Sequence, residues 1–448
     1  MSTLPTSEPA ADPRVRQIVD ATAAGFEACA RTRMPAGEYR DFCLWAIDGG
    51  NPLRDRFLQL TGILQLANLT TRLLDGLVTN DRAWNHLVEA SRVMNGWQIL
   101  EVVSDNLAIG LGHPPAADTS FETARRNLLY AFNAEMVLAL AGSGKSAGAL
   151  AELFAGMSGD VSLFAHSLSP EKHAAFADAY TGSHPAARWR EIDFGAHIPL
   201  AANIASCCEV ADNARVAGLD EIVRTSLARR YETVSRLLDY RPIDPAELID
   251  ISTYTILVMP TLGYYISNLY EAEGAAAKLA PVAADGTLSA ALYDAAMLVR
   301  KLNDLGTAMV LATWRKRQDV ISALRLSIER AARPITVNEL LLEAADREPL
   351  LNRIRKDALL DEFNVSLYGI GHESADRESI DYFGHRLEFA AGGYLEQRLR
   401  LDEELAVIDR RIGDTRAGAL VRRFVRFHEA LYSERFDSTD GEYAILCN

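Results

Sequence analysis

The spacing of apolar residues is the feature that most limits what this chain can fold into. From Arg54 to Leu77, the apolar side chains recur every three or four residues and form one stripe along a helix. The same helical spacing recurs in five further segments: Phe121–Leu140, Leu219–Tyr240, Pro245–Glu273, Ser289–Trp314 and Ser379–Asp409. Alternation with a period of two is scarce, and no run of hairpin signals occurs. The sequence therefore predicts an all-α protein, built as a large helical bundle.

Breaker residues mark the connections between these helices. Asp244 is suited to cap a helix that begins at Pro245. The best candidate for a domain boundary is the loop predicted at 181–185. We therefore expect a disordered leader over 1–14, an N-terminal helical region over 15–180, a second helical region over 187–436 and a loose tail over 437–448. One packed body agrees with the sequence equally well.

Net charge and cysteine usage indicate which classes of partner and which cellular compartment to expect. The formal net charge of −15 gives no general attraction toward nucleic-acid phosphates, so no nucleic-acid partner is expected. The cysteine count is odd and lacks C-x-x-C spacing, which is typical of reduced thiols rather than of a disulfide framework. The first residues lack the basic and apolar regions of a signal peptide. These features predict a cytoplasmic protein.

One uncharged segment is long enough to raise the question of a membrane. Residues Ile251–Tyr270 contain no charged side chain over 20 residues, the length of a membrane span. The segment also contains serines, threonines, an asparagine, a proline and a glycine, which favour a buried core helix. We therefore expect no stable membrane insertion.

The stretch Ala141-Gly-Ser-Gly-Lys-Ser146 resembles a phosphate loop only superficially. The phosphate-loop pattern requires a glycine at the position that Ala139 occupies here. The residues before it follow a helical pattern rather than that of a buried strand. A helix C-terminus capped by Gly142 is the prediction.

Polar residues interrupt one apolar helix in a pattern that suits magnesium-diphosphate binding. Within Leu298–Asp319, a helical spacing would place Arg300, Asn303 and Thr307 on one face, with Asp304 beside them. Oxygen ligands suit a hard cation such as Mg²⁺, and an arginine one turn earlier can hold a phosphate in a bidentate manner. Buried polar contacts within a core explain the same pattern without a ligand.

The octet Arg300-Lys-Leu-Asn-Asp-Leu-Gly-Thr307 resembles the second metal motif of class I terpene synthases, R-L-x-[DN]-D-L-G-T-x-x-x-E. Upstream, Arg229-Arg-Tyr-Glu232 and the apolar segment with Pro260 and Gly263 loosely resemble the elements that lead to a kinked helix in that family. In the family, carbonyls freed at this kink face the carbocation.

The resemblance implies a class I terpenoid synthase fold over 187–436, with extra helices before it. It implies an enzyme of isoprenoid secondary metabolism that uses Mg²⁺ to ionise a prenyl diphosphate and then cyclises or rearranges the allylic cation. The implied roles of the residues are as follows: Asn303 and Thr307 bind the metal, Asp304 supports catalysis, Arg300 and Arg315 bind diphosphate, and Tyr254 and Tyr264 line the cation pocket.

Three departures keep other interpretations open. The third metal position of the motif falls on Leu311, the aspartate-rich motif D-D-x-x-D is absent, and the kinked segment carries no arginine. A non-catalytic binding or regulatory relative is one alternative, and an unrelated helical scaffold protein is another. The sequence also leaves a homodimer open.

Other polar clusters are predicted to be structural. The nine histidines are scattered, so each is predicted to be a loop or packing residue. Asp357-x-x-x-Asp361-Glu362 is predicted to be a solvated helix face, and Glu101-x-x-x-Asp105-Asn106 is a similarly weak pair on an apolar helix.

Overall fold

The computed structural model describes residues 12–114, 120–167, 169–330 and 333–433, and these residues are helical with no β-strand. The first half contains α1 Pro13–Thr32, α2 Glu38–Ile47, α3 Arg54–Leu60, α4 Ile63–Leu74, α5 Asp81–Ala108, α6 Ser120–Leu140, α7 Ala147–Ser158, α8 Pro170–Ser183, α9 Trp189–Asp193, α10 His197–Asn213 and α11 Leu219–Leu238. The second half contains α12 Pro245–Thr255, α13 Val258–Ala272, α14 Ala280–Ala284, α15 Thr287–Leu305, α16 Thr307–Val310, α17 Trp314–Arg330, α18 Val337–Ala344, α19 Asn352–Leu360, α20 Arg377–Ala391, α21 Tyr394–Ile412 and α22 Arg416–Leu431. The all-α prediction is confirmed.

Several predicted helices are correct in type but wrong in length, because glycine interrupts them. The segment 54–77 is divided at Gly62, which has a φ of +79°. The segment 379–409 is divided at Gly392 and Gly393, and Gly393 has a φ of +71°. Left-handed backbone is accessible to glycine at little cost, and the chain turns there to start a new helix. Helical periodicity continues across such breaks and does not reveal them.

The capping predictions agree with the structure more closely. The Asp244 carboxylate accepts a hydrogen bond from the backbone N–H of Ala246 at 2.9 Å, and Pro245 is the first residue of α12. Gly142 follows α6 with a φ of +79° and accounts for the phosphate-loop look-alike as a helix end. The loop predicted at 181–185 starts later than expected, since α8 continues to Ser183.

The proposed leader and tail fall mostly outside the described residues. Of the leader predicted over 1–14, only the residues from Asp12 onward are described. Helix α1 begins there at Pro13, with the side chain of Asp12 as its N-cap. The predicted tail over 437–448 lies wholly outside the described residues. The division into regions 15–180 and 187–436 stays a prediction.

The long helix α5 is packed between helices from both halves of the chain. It contacts α1, α4, α6, α10 and α13. In turn, α13 packs on α11 and α15, and α15 packs on α12, α19, α21 and α22. The apolar segment that contains α13 is buried along almost its whole length, as the sequence predicted for a core helix. None of the described helices is long and apolar enough to cross a bilayer.

A network of polar side chains is sealed within this packing. The carboxylate of Glu101 on α5 accepts hydrogen bonds from Arg230 at 2.6 and 2.9 Å, and from the Tyr231 hydroxyl at 2.8 Å. The Asn203 amide on α10 donates to the same carboxylate at 2.9 Å and accepts from the Trp97 indole at 2.8 Å. The side chains of Glu101 and Arg230 are 1% and 6% exposed. The network ties α5, α10 and α11 together.

We predict that Glu101→Ala lowers the free energy of unfolding by about 3 kcal/mol or more, because it leaves the buried Arg230 with less compensating charge. The measurement is urea denaturation followed by circular dichroism. Glu89→Ala on the same helix removes an exposed partner of Arg92 and should cost less than about 1 kcal/mol. Equal losses in the two variants would contradict a stabilising role for the network.

Candidate functional site

The apolar segment predicted to kink is interrupted between α12 and α13. Ile256 and Leu257 belong to neither helix. Pro260 explains the position of this break, because proline has no N–H to donate to the carbonyl one turn earlier and its ring clashes with that carbonyl. The proline break expected from the sequence is confirmed, and it falls one turn before Pro260.

Arg230 connects this break to the buried network. One Nη atom donates to the backbone carbonyl of Thr255, the last residue of α12. The other Nη atom donates to Glu101 and, at 2.6 Å, to Asp105. Burial lowers the pKa of Arg230, but Asp105 and Glu101 outweigh burial and raise it above its ordinary value. The Arg230 guanidinium therefore donates hydrogen bonds both to the last carbonyl of α12 and to the carboxylates of Glu101 and Asp105.

A cleft of about 400 Å³ opens beside the break, which we call the central cleft. Its polar members come from α5, α11 and the loop after it, α12, α15 and the segment after α19: Asp105, Asn106, Arg230, Tyr240, Thr255, Arg300, Asn303 and Glu362. Its apolar members form the rest of the wall: Ile109, Leu111, Val234, Leu237, Leu238, Ile256, Leu257 and Phe363. The central cleft thus combines a charged part with an extended apolar surface.

A second chamber of about 190 Å³ lies directly behind the central cleft. Ile256, Leu257 and Asn303 line both spaces, so the break between α12 and α13 separates them. The other walls of the second chamber combine apolar side chains, Leu66, Leu69, Leu73, Val258, Val299 and Phe424, with polar ones, Thr70, Gln98, Thr261, Tyr265, His428 and Tyr432. Together the two spaces are suited to an amphiphilic ligand.

Arg300 and Asn303 both line the central cleft, as the motif predicts, but both already have partners within the protein. Arg300 forms an ion pair with Asp304 and donates to the Asn303 Oδ1 atom at 3.0 Å. The Asn303 amide donates to the Tyr432 hydroxyl at 2.7 Å. Burial lowers the pKa of Arg300 to about 10, so its guanidinium still carries a charge at neutral pH.

Asp304 lies in the core rather than at the surface of the cleft. Its side chain is completely buried, and its Oδ2 atom accepts from the backbone N–H of Val365 at 3.1 Å. The Asn364 amide donates to its backbone carbonyl at 2.7 Å. Asp304 thus anchors the segment after α19 and compensates the charge of Arg300.

The prediction that Asn303 and Thr307 share one helix face is wrong. Helix α15 ends at Leu305, and Gly306 turns the chain with a φ of +79°. The Thr307 hydroxyl donates to the carbonyl of Glu429 at 2.7 Å, and its backbone N–H donates to the carbonyl of Tyr432 at 3.0 Å. The glycine of the motif therefore breaks the helix that the spacing assumed.

The other predicted residues lie away from the central cleft. Arg315 is exposed on α17 and is not among the cleft residues. The Tyr254 hydroxyl accepts from Arg229 at 2.7 Å, and its ring packs on Tyr293. Tyr264 is buried and its hydroxyl donates to the carbonyl of Ala90 at 2.8 Å. Neither tyrosine lines the two chambers.

The cleft also contains two carboxylates that the sequence analysis judged unimportant. Asp105 belongs to the weak pair on α5, and Glu362 follows Asp361 just after α19. The Asp105 side chain is 60% exposed because it faces the cleft. The surrounding protein still desolvates it, which raises its pKa to about 6 against the opposing effect of Arg230, while Glu101 and Glu362 add to the rise. Asp105 and Glu362 both line the central cleft.

The predicted solvated face over 357–362 is also wrong. Asp357 is buried, forms an ion pair with Arg353 at 3.3 Å and accepts from the Asn364 amide at 2.8 Å. Glu362, at the end of the segment, lines the central cleft. The sequence shows the spacing of these acids. It does not show that packing buries Asp357 and leaves Glu362 in the cleft.

These contacts decide which residues suit Mg²⁺. Thr307 and Asp304 do not suit it, because the Thr307 hydroxyl faces a carbonyl and Asp304 is enclosed beside Arg300. Asp105 and Glu362 are of the right chemistry, since Mg²⁺ in proteins is held by one or two carboxylates together with waters and substrate phosphates. The fit therefore moves from the predicted motif to Asp105 and Glu362, which line the same cleft.

Comparison of the chain with protein-family models, with curated proteins and with solved structures finds no significant match.

We predict that Arg300→Ala lowers the free energy of unfolding by about 3–5 kcal/mol, because it leaves the fully buried Asp304 without its counter-charge. The measurement is urea denaturation at neutral pH. Arg315→Ala, which removes an exposed arginine, should change the value by less than about 0.5 kcal/mol. A stable Arg300→Ala protein would show that the pair is not needed for the fold.

The raised pKa of Asp105 leads us to predict that the free energy of unfolding depends on pH. Its folded-state pKa of about 6 is above the ordinary aspartate value, so the folded state binds the proton more tightly than the unfolded state. Its contribution to the free energy of unfolding should therefore fall as the pH rises from about 4 through about 6. Asp105→Asn should remove this component, measured by urea denaturation across that range. Asp346→Asn, an exposed control, should keep the wild-type slope.

Proposed function

We propose that this protein is a class I terpene synthase-like enzyme that binds a prenyl diphosphate in the central cleft and ionises it. The observation that carries this proposal is the composition of the cleft. Two arginines, two carboxylates and Asn303 lie on its walls beside an extended apolar surface, and a second chamber adjoins it across the α12–α13 break. An anionic head group and a long apolar tail would both find matching surfaces there.

The apolar walls would bind the prenyl chain. A volume of about 400 Å³ falls in the usual range of ligand sites, which is roughly 300–1,000 Å³. Side chains such as Leu237, Leu238 and Phe363 present hydrocarbon and aromatic surface without a nucleophile. Such walls would exclude water and delay quenching of an allylic cation. The predicted tyrosines are not needed for this role.

The arginines would bind the diphosphate. Arg230 and Arg300 line the cleft with guanidinium groups, which suit phosphate oxygens geometrically. Each is also paired with an acid, Asp105 or Asp304. A diphosphate would therefore replace part of the pairing to Asp105, while the buried pair with Asp304 would hold Arg300 in place.

Asp105 and Glu362 would hold Mg²⁺ together with the phosphate oxygens. When bound, the metal would act as a Lewis acid that stabilises the departing diphosphate. Asp105 is partly neutralised by Arg230, and Glu362 accepts from Lys356 at 3.0 Å. These contacts would orient the two carboxylates toward the cleft.

Specific observations favour each of two other functions. Thr307 is fully used in packing, and Leu311, at the third position of the motif, is 50% exposed. Both features fit a non-catalytic binding relative. The exposed apolar residues Phe389, Leu395 and Leu399 on α20 and α21 fit a scaffold protein that associates through this face.

We predict magnesium-dependent release of inorganic pyrophosphate from geranyl, farnesyl or geranylgeranyl diphosphate. The purified chain would be assayed with Mg²⁺ and with EDTA, and the extracts analysed by mass spectrometry. Asp105→Asn and Glu362→Gln should each reduce the rate at least roughly tenfold, because each removes a proposed metal-binding charge. Asp346→Asn, an exposed aspartate outside the cleft, should leave the rate unchanged.

A folded wild-type protein that releases no pyrophosphate would exclude the enzymatic function. Binding of the diphosphates without release, measured by calorimetry, would favour the binding relative. Neither binding nor release would favour the scaffold.

A further inference from the structure

Two histidines and an aspartate from distant parts of the chain meet beside the central cleft. His113 follows α5, Asp361 ends α19, and His372 lies in the loop before α20. One ligand atom from each of the three lies within 4.8 Å of the others. The His113 Nδ1 atom is 2.5 Å from Asp361 Oδ2, and the His372 Nε2 atom is 2.8 Å from Asp361 Oδ1. The sequence analysis treated both histidines as packing residues.

Backbone contacts hold this cluster in place. The N–H groups of Gly110 and Gly112 donate to the carbonyls of Leu360 and Asp361 at 3.0 and 2.8 Å. A Cβ atom on Gly112 would lie 2.5 Å from the Asp361 carbonyl oxygen, so only glycine permits this approach. Arg126 donates to the carbonyl of His113 at 2.6 Å. The segments that carry His113 and Asp361 are therefore fixed to each other.

Glu122 on α6 completes the arrangement from the other side of His113. Its Oε2 atom is 3.2 Å from the His113 Nε2 atom. Both ring nitrogens of His113 thus face carboxylates, although a neutral imidazole has only one N–H. If Nε2–H donates to Glu122, the Nδ1 lone pair points at the Asp361 oxygen. At 2.5 Å only a proton fits between the two atoms, and a metal ion would replace that proton once the side chains move apart.

We infer that His113, Asp361 and His372 bind a divalent transition-metal ion, with Glu122 orienting His113 from outside. Histidines that bind metals commonly donate their other N–H to a carboxylate, which fixes the tautomer as Glu122 would here. Two imidazoles and one carboxylate suit Zn²⁺ or Fe²⁺ and are unlike the oxygen ligands of Mg²⁺. This site is separate from the Mg²⁺ of the proposed function.

The spacing and exposure suit such an ion. Zinc–ligand bonds of about 2.1 Å place tetrahedral ligand atoms ~3.3 Å apart. The two histidine–carboxylate distances here are shorter, 2.5 and 2.8 Å, and the three ligand atoms lie within 4.8 Å of one another. Small side-chain rotations would admit the ion. The His372 side chain is 49% exposed, so an ion can enter from solvent and keep a position open to water.

The test uses the full chain, stripped with a chelator and returned to chelator-free buffer. It is titrated with Co²⁺, followed by visible absorption, and with Zn²⁺, followed by calorimetry. We expect one equivalent of either ion to bind, and we expect Mg²⁺ not to displace it. Asp361→Asn and His372→Ala should each weaken binding at least tenfold, and His385→Ala, which alters an exposed histidine on α20, should not.

The variants are chosen to keep the fold. Asparagine tolerates the left-handed backbone of Asp361, whose φ is +48°, and His372 is half exposed. Circular dichroism verifies that each variant is folded. A wild-type protein that binds Co²⁺ and Zn²⁺ no better than the folded Asp361→Asn and His372→Ala variants would overturn the inference. Pyrophosphate release is not a readout here, so failure of either proposal leaves the other testable.

Discussion

The buried ion pair between Glu101 and Arg230 is the interaction on which the rest of the structure depends. It joins α5 to α11, and through Arg230 it also reaches the carbonyl at the end of α12. A buried pair of this kind stabilises little by itself, because desolvation offsets much of the attraction. Its effect is to fix positions, since each group is costly to bury without the other. The position of the central cleft follows from this constraint.

The sequence predicted the helical class well because the evidence for it is local. Apolar spacing, N-caps such as Asp244 and the absence of strand patterns all act within a few residues. Helix ends were harder to predict where a glycine turns the chain between two segments of the same period, as at Gly62 and Gly306. The amphipathic pattern carries across such a break, and only the backbone angle reveals it.

The residues of the candidate site were predicted only in part, because spacing on an ideal helix does not determine which side chains share a cavity in the folded protein. Arg300 and Asn303 do line a cleft, but Gly306 removes Thr307 from their face. Asp105 and Glu362 are separated by most of the chain, and they line one cleft because the segment after α5 is hydrogen-bonded to the end of α19. Each lies near another acid in the sequence, Asp105 one turn after Glu101 and Glu362 next to Asp361, but the spacing does not show which acids line the cleft.

The central cleft and the histidine cluster share the same two segments of backbone. Leu111 lines the cleft and His113 belongs to the cluster, and the same holds for Glu362 and its neighbour Asp361. Hydrogen bonds between the two segments make them one unit. Any cation that orders the cluster, whether a proton or a metal ion, therefore also fixes the segment from which Glu362 lines the cleft. The charge balance inside the cleft is thus set partly by groups outside it.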